Sequence, residues 1–133
     1  MQELINILKN RELTISCAES LTAGLFASTM GEYSGVSKVF KGGVVSYWSE
    51  IKQSVLNVPE SVILSSGVVS SECASYMARG VKELFKTDVS VSFTGNAGPS
   101  VLDNKKVGEV YMGFKIDDKD CVVIHHIFSG SRN

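Results

Sequence analysis

The sequence has little of several features that mark common protein classes. Its three cysteines, Cys17, Cys73 and Cys121, stand far apart and form no C-x-x-C pair, so neither a zinc site nor dithiol redox chemistry is supported. No apolar run reaches membrane-spanning length, and the first residues lack the charged-then-apolar layout of a signal peptide. We therefore expect a cytoplasmic protein whose three cysteines are reduced and buried.

The sequence has no excess of positive or of negative charge. Thirteen Lys and Arg against 14 Asp and Glu give a formal net charge of -1, with no block of like charges. A nucleic-acid-binding protein normally carries a basic face, so that class is disfavoured. A length of 133 residues with 44% hydrophobic residues suits one globular domain spanning residues 1–133.

Apolar residues recur along the chain with alternating helical and strand-like periods. The pattern predicts helices over 1–11, 22–30, 49–56 and 71–85, a single helical turn over 59–64, strands over 13–18, 42–47 and 88–94, and a hairpin of strands 107–116 and 121–128. Helix–strand alternation that ends in a hairpin indicates an α/β fold. We expect a three-layer sandwich, with helices on both faces of a mixed, mostly parallel sheet.

Ser20 stands where a strand-like stretch gives way to small residues suited to a helix. A serine at such a junction lies beside unpaired backbone N–H groups and the positive end of a helix dipole. Those groups can hold the oxyanion that forms when a serine attacks a carbonyl. The alternative is that Ser20 is simply the N-cap of the helix, since serine is a preferred cap. Cys17 lies three residues earlier on the same strand and points to the opposite face, so we discount it as the nucleophile.

A serine nucleophile needs a base. His125 and His126 are adjacent on a predicted strand, so at most one could reach any site, and no G-x-S-x-G elbow is present. Lys52 is the alternative, because it follows Tyr47 at a strand end by about one helical turn. A desolvated lysine works as a base if its pKa falls from about 10.4 to roughly 7–8. The tyrosine hydroxyl could relay a proton or help bind the oxyanion.

The same segment contains Ser49-x-x-Lys52, which matches the S-x-x-K of penicillin-recognising enzymes. The supporting S-D-N and K-T-G motifs are absent from the chain. We therefore interpret Ser49 as the cap of the predicted helix.

Four segments resemble, in order and spacing, the motifs of the CinA C-terminal domain family. Residues 18–24 match its A-E-S-x-T-x-G signature, and the other segments are GGVVSYWSEIKQ at 42–53, GVVS at 67–70 and VSFTGNAGP at 91–99. One such motif alone would be weak. Four in order are specific, and together they cover nearly the whole chain.

The resemblance implies a nicotinamide-nucleotide amidase, which hydrolyses nicotinamide mononucleotide to nicotinate mononucleotide and ammonia. It implies Ser20 as the nucleophile, Lys52 as the general base and Tyr47 as the assisting hydroxyl, with no metal and no cofactor. The residues that it places at the substrate are Glu19, Thr22, Gly24, Thr94, Gly95 and Arg132. The last of these lies in the run G-S-R at 130–132, where an arginine could pair with the substrate phosphate.

The sequence departs from the family pattern in three places. Asn96 replaces a residue that is usually apolar, and the loop 100–106 is short and lacks a further glycine run. The family's terminal helix and its N-terminal nucleotide-hydrolysing domain are not seen, so we expect the stand-alone form of the domain.

Two other functions stay open at this point. A catalytically silent domain that binds a nucleotide or a partner protein would share the fold and the pocket. A Ser–Lys peptidase or lactamase would need an open cleft for an extended substrate.

The predicted strand 121–128 is largely apolar on both faces, so we also expect self-association, most simply as a two-fold dimer. The expected ligand is a small nucleotide, with neither nucleic acid nor a membrane as partner.

Overall fold

A computed structural model describes all 133 residues, Met1 to Asn133. The helices are α1 (Gln2–Asn10), α2 (Leu25–Gly31), α3 (Ser49–Ser54), α4 (Glu60–Ser65) and α5 (Ser71–Phe85). The strands are β1 (Ile15–Glu19), β2 (Phe40–Val45), β3 (Val89–Gly95), β4 (Glu109–Ile116) and β5 (Val122–Ile127). None of these helices combines the length and the apolar character that crossing a membrane requires.

The five strands form one sheet in the order β2-β1-β3-β4-β5. β1 pairs in parallel with both β2 and β3, whereas β4 is antiparallel to β3 and β5 is antiparallel to β4. Only β4 therefore runs against the other strands. The predicted mixed, mostly parallel α/β sheet is confirmed.

The side chains of β1 alternate between two helical layers. Ile15 and Cys17 pack in a cluster with α1 and α2, and Ala18 on the opposite face packs against α5 and the segment between α3 and α4. Every residue of β1 is buried, as expected for a central strand covered on both sides. Burial of each large apolar side chain in these layers contributes about 1.5–3 kcal/mol.

Helix α5 holds one side of the sheet in place. It begins at a true cap, because Ser70 Oγ accepts a hydrogen bond from the Cys73 amide at 3.1 Å. A Cβ atom at Gly80 would lie 1.9 Å from the Leu56 carbonyl oxygen, so only glycine lets α5 approach the segment after α3. This close contact fixes the position of α3, which carries Lys52.

One predicted helix start and one predicted helix cap are wrong. α2 begins at Leu25 rather than at residue 22, because residues 21–24 form a turn in which Ala23 and Gly24 have φ values of +49° and +103°. Gly24 is the N-cap residue of α2, so Ser20 does not cap that helix. At α3 the N-cap position is Trp48 and no side chain caps the helix, so the expected capping role of Ser49 is also wrong.

Candidate active site

Ser20 and Lys52 meet at the carboxyl end of β1. Ser20 follows the last residue of that strand, and Lys52 reaches it from α3. Lys52 Nζ lies 3.0 Å from Ser20 Oγ, and the two residues are 1% and 8% exposed, respectively. The structure brings the predicted nucleophile and base within hydrogen-bond distance.

The surroundings of Lys52 favour its neutral form. Its ammonium donates to the Ser46 carbonyl at 2.5 Å and lies 3.4 Å from the Tyr47 carbonyl, but no carboxylate forms an ion pair with it. Burial lowers the pKa of Lys52 from its ordinary value, and a nearby Cys73 thiol offsets this only in part. A lysine that is desolvated and lacks a counterion is suited to accept a proton from a hydroxyl.

The neighbouring strands fix the backbone around Ser20. The Ser20 amide donates to the Phe93 carbonyl of β3 at 3.0 Å. On the other side the amide and hydroxyl of Ser46 donate to the Glu19 carbonyl at 2.7 and 3.2 Å. The backbone at Ser20 and Glu19 is thus held by hydrogen bonds to β3 and to the residue that follows β2.

Glu19 does not lie in the cleft that was predicted to hold the substrate. It is 1% exposed, and its carboxylate accepts hydrogen bonds from the amides of Gly24, Phe26 and Ala27 at 2.9–3.1 Å. A carboxylate at the N-terminus of α2 satisfies the free amides and the dipole of that helix. Glu19 therefore joins β1 to α2 beside Ser20, and Gly24 supplies one of the amides.

A small cleft of about 190 Å³ opens in front of Ser20. Its walls are formed by Ser20, Leu21, Tyr47, Gly95, Asn96, Ala97, Gly98, Ser100, Leu102 and Arg132. The amides of Leu21, Ala97 and Gly98 donate no backbone hydrogen bond, although all three residues line the cleft. Such free amides are the candidate donors to an oxyanion formed at Ser20.

Tyr47 lies at the mouth of the cleft. It is 52% exposed, and its hydroxyl forms no hydrogen bond with Ser20 or Lys52. The contact with Lys52 is made by the Tyr47 carbonyl. The Tyr47 side chain therefore lies at the entrance to the cleft, whereas its backbone carbonyl contacts Lys52.

The other residues predicted around the substrate divide into two groups. Gly95 lines the cleft, and a Cβ atom there would lie 2.4 Å from the Glu109 carbonyl oxygen, so the close approach of β3 to β4 requires glycine. Thr94 is buried, and its hydroxyl donates to the Val68 carbonyl at 2.6 Å. It braces β3 against the segment that precedes α5 and does not line the cleft.

Arg132 reaches across the cleft from the end of the chain. Its guanidinium donates from Nε and Nη2 to the Gly98 carbonyl at 2.9 and 2.5 Å. A guanidinium has five N–H donors, so further donors stay available to an anion.

A larger cavity of about 430 Å³ adjoins the cleft, and Leu21, Asn96, Ala97 and Arg132 line both spaces. Most of its wall is apolar and comes from β3, β4 and the segment after β5. Thr22 lines this cavity, and its hydroxyl is buried without any hydrogen-bond partner.

The competing nucleophiles and bases are located elsewhere or are unsuited to the chemistry. His125 Nε2 lies 2.9 Å from Glu109 Oε1, and neither histidine lines the cleft. Burial raises the pKa of the Cys17 thiol to about 12, so it stays protonated. All three cysteines are free, but Cys121 is only half-buried, contrary to the expectation of full burial.

The fold and the site define a mixed α/β domain with a buried serine–lysine pair at the carboxyl ends of its parallel strands, where such sheets bind ligands. The chain belongs to the CinA family, because the model of the CinA C-terminal domain matches residues 1–133. A Bacillus thuringiensis (strain Al Hakam) relative, whose name describes it as competence-damage inducible, is 52% identical over 128 residues. That match covers 96% of this chain and 31% of the relative, so the chain spans under a third of the length of such relatives.

Solved structures share the fold. A CinA superfamily protein from Escherichia coli matches with a TM-score of 0.94 and 26% identity, over 98% of this chain and 76% of that one. The competence/damage inducible protein CihA from Agrobacterium tumefaciens matches with a TM-score of 0.92 and 29% identity, over 96% of this chain and 78% of that one.

Proposed function

We propose that this domain is a serine amidohydrolase that converts nicotinamide mononucleotide to nicotinate mononucleotide and ammonia. The observation that carries the proposal is the 3.0 Å contact between Lys52 Nζ and Ser20 Oγ, buried and without a carboxylate counterion. The family resemblance supplies the substrate. The curated relatives are about three times as long, so the proposal concerns the activity of this domain.

In the proposed first half-reaction, neutral Lys52 accepts the Ser20 hydroxyl proton as Oγ attacks the carboxamide carbon. The tetrahedral oxyanion is stabilised by free amides at the cleft, of which Leu21 is the candidate nearest in sequence to the nucleophile. Lys52 then donates its proton to the leaving nitrogen, which departs as ammonia. Ser20 is left as an ester of the nicotinate product.

In the second half-reaction a water molecule attacks that ester while Lys52 accepts its proton. Collapse of the second tetrahedral intermediate returns the proton to Ser20 Oγ and releases the acid. The same lysine therefore serves as base and acid in both halves, which requires a pKa below that of a free lysine. The direction of the pKa shift of Lys52 agrees with this requirement.

The shape of the site favours a small substrate over an extended peptide. The space before Ser20 is a cleft of about 190 Å³, continued by the larger cavity rather than by an open groove. Arg132 lies on the shared wall and has guanidinium donors left for a phosphate. Tyr47 at the mouth is positioned to contact the ligand as it enters.

The test is ammonia release from nicotinamide mononucleotide by the purified domain, measured beside nicotinamide and nicotinamide riboside. We expect turnover of the mononucleotide and its loss in Ser20→Ala. Ser92→Ala is the matched control, because it removes a buried hydroxyl that bonds the Ala74 carbonyl away from the cleft. Ligand binding without any turnover would contradict the proposal and favour the silent binding domain.

A further inference from the structure

The loop 97–106 forms one wall of the cleft in front of Ser20, through Ala97, Gly98, Ser100 and Leu102. It has almost no regular structure of its own. Among residues 97–106 the backbone makes a single internal hydrogen bond, from the Lys105 amide to the Leu102 carbonyl. Something outside its own backbone must therefore determine where this wall stands.

Asn96 provides the part of this support that holds Leu102, whereas Asp103 accepts from the Val69 amide at 2.9 Å and the Gly98 carbonyl accepts from Arg132. Asn96 Oδ1 accepts from the Leu102 amide at 3.0 Å, and its Nδ2 donates to the Leu102 carbonyl at 3.1 Å. The side-chain amide thus pairs with both backbone groups of one loop residue, as a peptide group does in a strand. Nδ2 also lies 3.5 Å from the Lys105 carbonyl.

The backbone of Asn96 is itself fixed. Its amide donates to the Glu109 carbonyl at 3.0 Å, and its carbonyl accepts from the Gly108 amide at 2.7 Å. The residue is 4% exposed, so its amide cannot exchange these partners for water. Asn96 therefore continues the backbone pairing of β3 with β4 and, through its side chain, connects that pairing to a loop that has no strand partner of its own.

We propose that Asn96 is a positioning residue that sets the substrate-contacting wall of the cleft by holding Leu102, and thereby tunes substrate binding without taking part in the chemistry. Its effect on turnover rests on the proposed function, whereas its effect on the loop does not. An apolar residue at this position would fill the same space but could form neither hydrogen bond. Asn96 lines the cleft and the adjoining cavity, so it acts on the wall that both spaces share.

The decisive variant is Asn96→Asp, which keeps the size and the acceptor but removes both N–H donors and places a negative oxygen beside the Leu102 carbonyl. Asn96→Ser, which keeps a small polar group, serves if the aspartate variant does not fold. Asn104→Gly is the matched control, because Asn104 lies exposed in the same loop with φ of +55°, a conformation that glycine adopts freely.

Two measurements are made on each variant. Hydrogen exchange of the loop amides should accelerate about tenfold or more in the Asn96 variants, which corresponds to the loss of the part-buried hydrogen bond from Nδ2 to the Leu102 carbonyl. The KM for nicotinamide mononucleotide should rise about tenfold with kcat changed less than about threefold, since Ser20 and Lys52 are untouched. Asn104→Gly should change neither quantity.

Wild-type exchange in the loop of Asn96→Asp would overturn the inference. A fall in kcat at unchanged KM would also overturn it, because Asn96 would then act on the reacting groups. If the wild-type protein releases no ammonia, the proposed function fails, and the exchange measurement alone decides whether Asn96 holds the loop.

Discussion

Replacing Lys52 with methionine should abolish turnover and yet stabilise the folded domain. Methionine keeps the length of the side chain and packs well in irregular apolar space, but it exchanges no proton. General acid–base groups contribute about 10²–10⁴-fold to rate, and Lys52 acts in both half-reactions of the proposed mechanism, so we expect a loss near 10⁴-fold. Ser20→Ala should lose as much, and the double variant little more, because members of a catalytic unit are not additive.

The gain in stability follows from the buried charge. An ion removed from water costs several kcal/mol, and Lys52 has no carboxylate partner to offset that cost. Methionine leaves the buried Ser46 carbonyl without this donor, at a cost of about 1–3 kcal/mol, whereas the Ser20 hydroxyl lines the cleft, where water can replace the bond. The difference is a net stabilisation on the order of 1 kcal/mol.

The pH dependence of this gain has a definite sign. The folded-state pKa of Lys52 is lowered, so between that value and the ordinary lysine pKa the unfolded chain binds more protons than the folded chain. Wild-type stability therefore rises with pH across this window through Lys52. The advantage of Lys52→Met should be largest below the folded-state pKa and shrink as pH rises above it.

Urea unfolding at a series of pH values from about 6 to about 10.4, the ordinary pKa of lysine, measures how this advantage changes across the window. Lys38→Met is the matched control, since Lys38 is exposed. The activity of the wild type should rise with pH on a single ionisation, whereas control near pH 6 would implicate a histidine. An inactive Lys52→Met that is less stable than wild type at pH 6 would refute the argument, because Lys52 would then be a structural cation.

Further outcomes follow from the site. Glu19→Gln should destabilise the domain by about 2–4 kcal/mol in urea unfolding, because three amides at α2 lose a charged acceptor; unchanged stability would exclude this role. Tyr47→Phe should cost about tenfold in kcat/KM or less, since its hydroxyl bonds neither Ser20 nor Lys52; a larger loss would mean that the hydroxyl takes part in the reaction. Arg132→Ala should raise the KM for the mononucleotide and leave that for the riboside unchanged, and equal effects would exclude phosphate recognition. The exposed apolar side chains of β5 should support a two-fold dimer, which a monomer at micromolar concentration in ultracentrifugation would contradict.

The fold could be predicted from periodicity because each buried element has a clear pattern. The strand β1 and the helix α5 were expected within about two residues of their observed limits. The start of α2 was missed because small residues at 21–24 favour a helix locally, whereas the Glu19 carboxylate places the first turn further on. The contact of Glu19 with the α2 amides depends on the folded structure, so it cannot be predicted from the local sequence pattern.

Only part of the candidate site could be predicted from the sequence. Ser20 and Lys52 could be singled out because each follows a strand end, and parallel strands end at the same edge of the sheet. The support of Lys52 by the Ser46 carbonyl and of the cleft wall by Asn96 could not be seen, since backbone acceptors and loop geometry leave no signature in side-chain identity. Glu19 lies outside the cleft that Ser20 lines, because adjacent residues at a strand end point in opposite directions.

The alternation at this strand end explains why two buried ionisable side chains have different roles. Glu19 points to the α2 layer, where three backbone amides satisfy its charge, and it is left with no free group to react. Lys52 occupies the opposite layer, where carbonyls and one hydroxyl are its partners and none of them carries a charge. Backbone amides therefore stabilise the negative charge of Glu19, whereas no charged group stabilises a positive charge on Lys52. A buried cation whose charge is poorly compensated loses its proton readily, and in this domain that cation lies 3.0 Å from a serine hydroxyl.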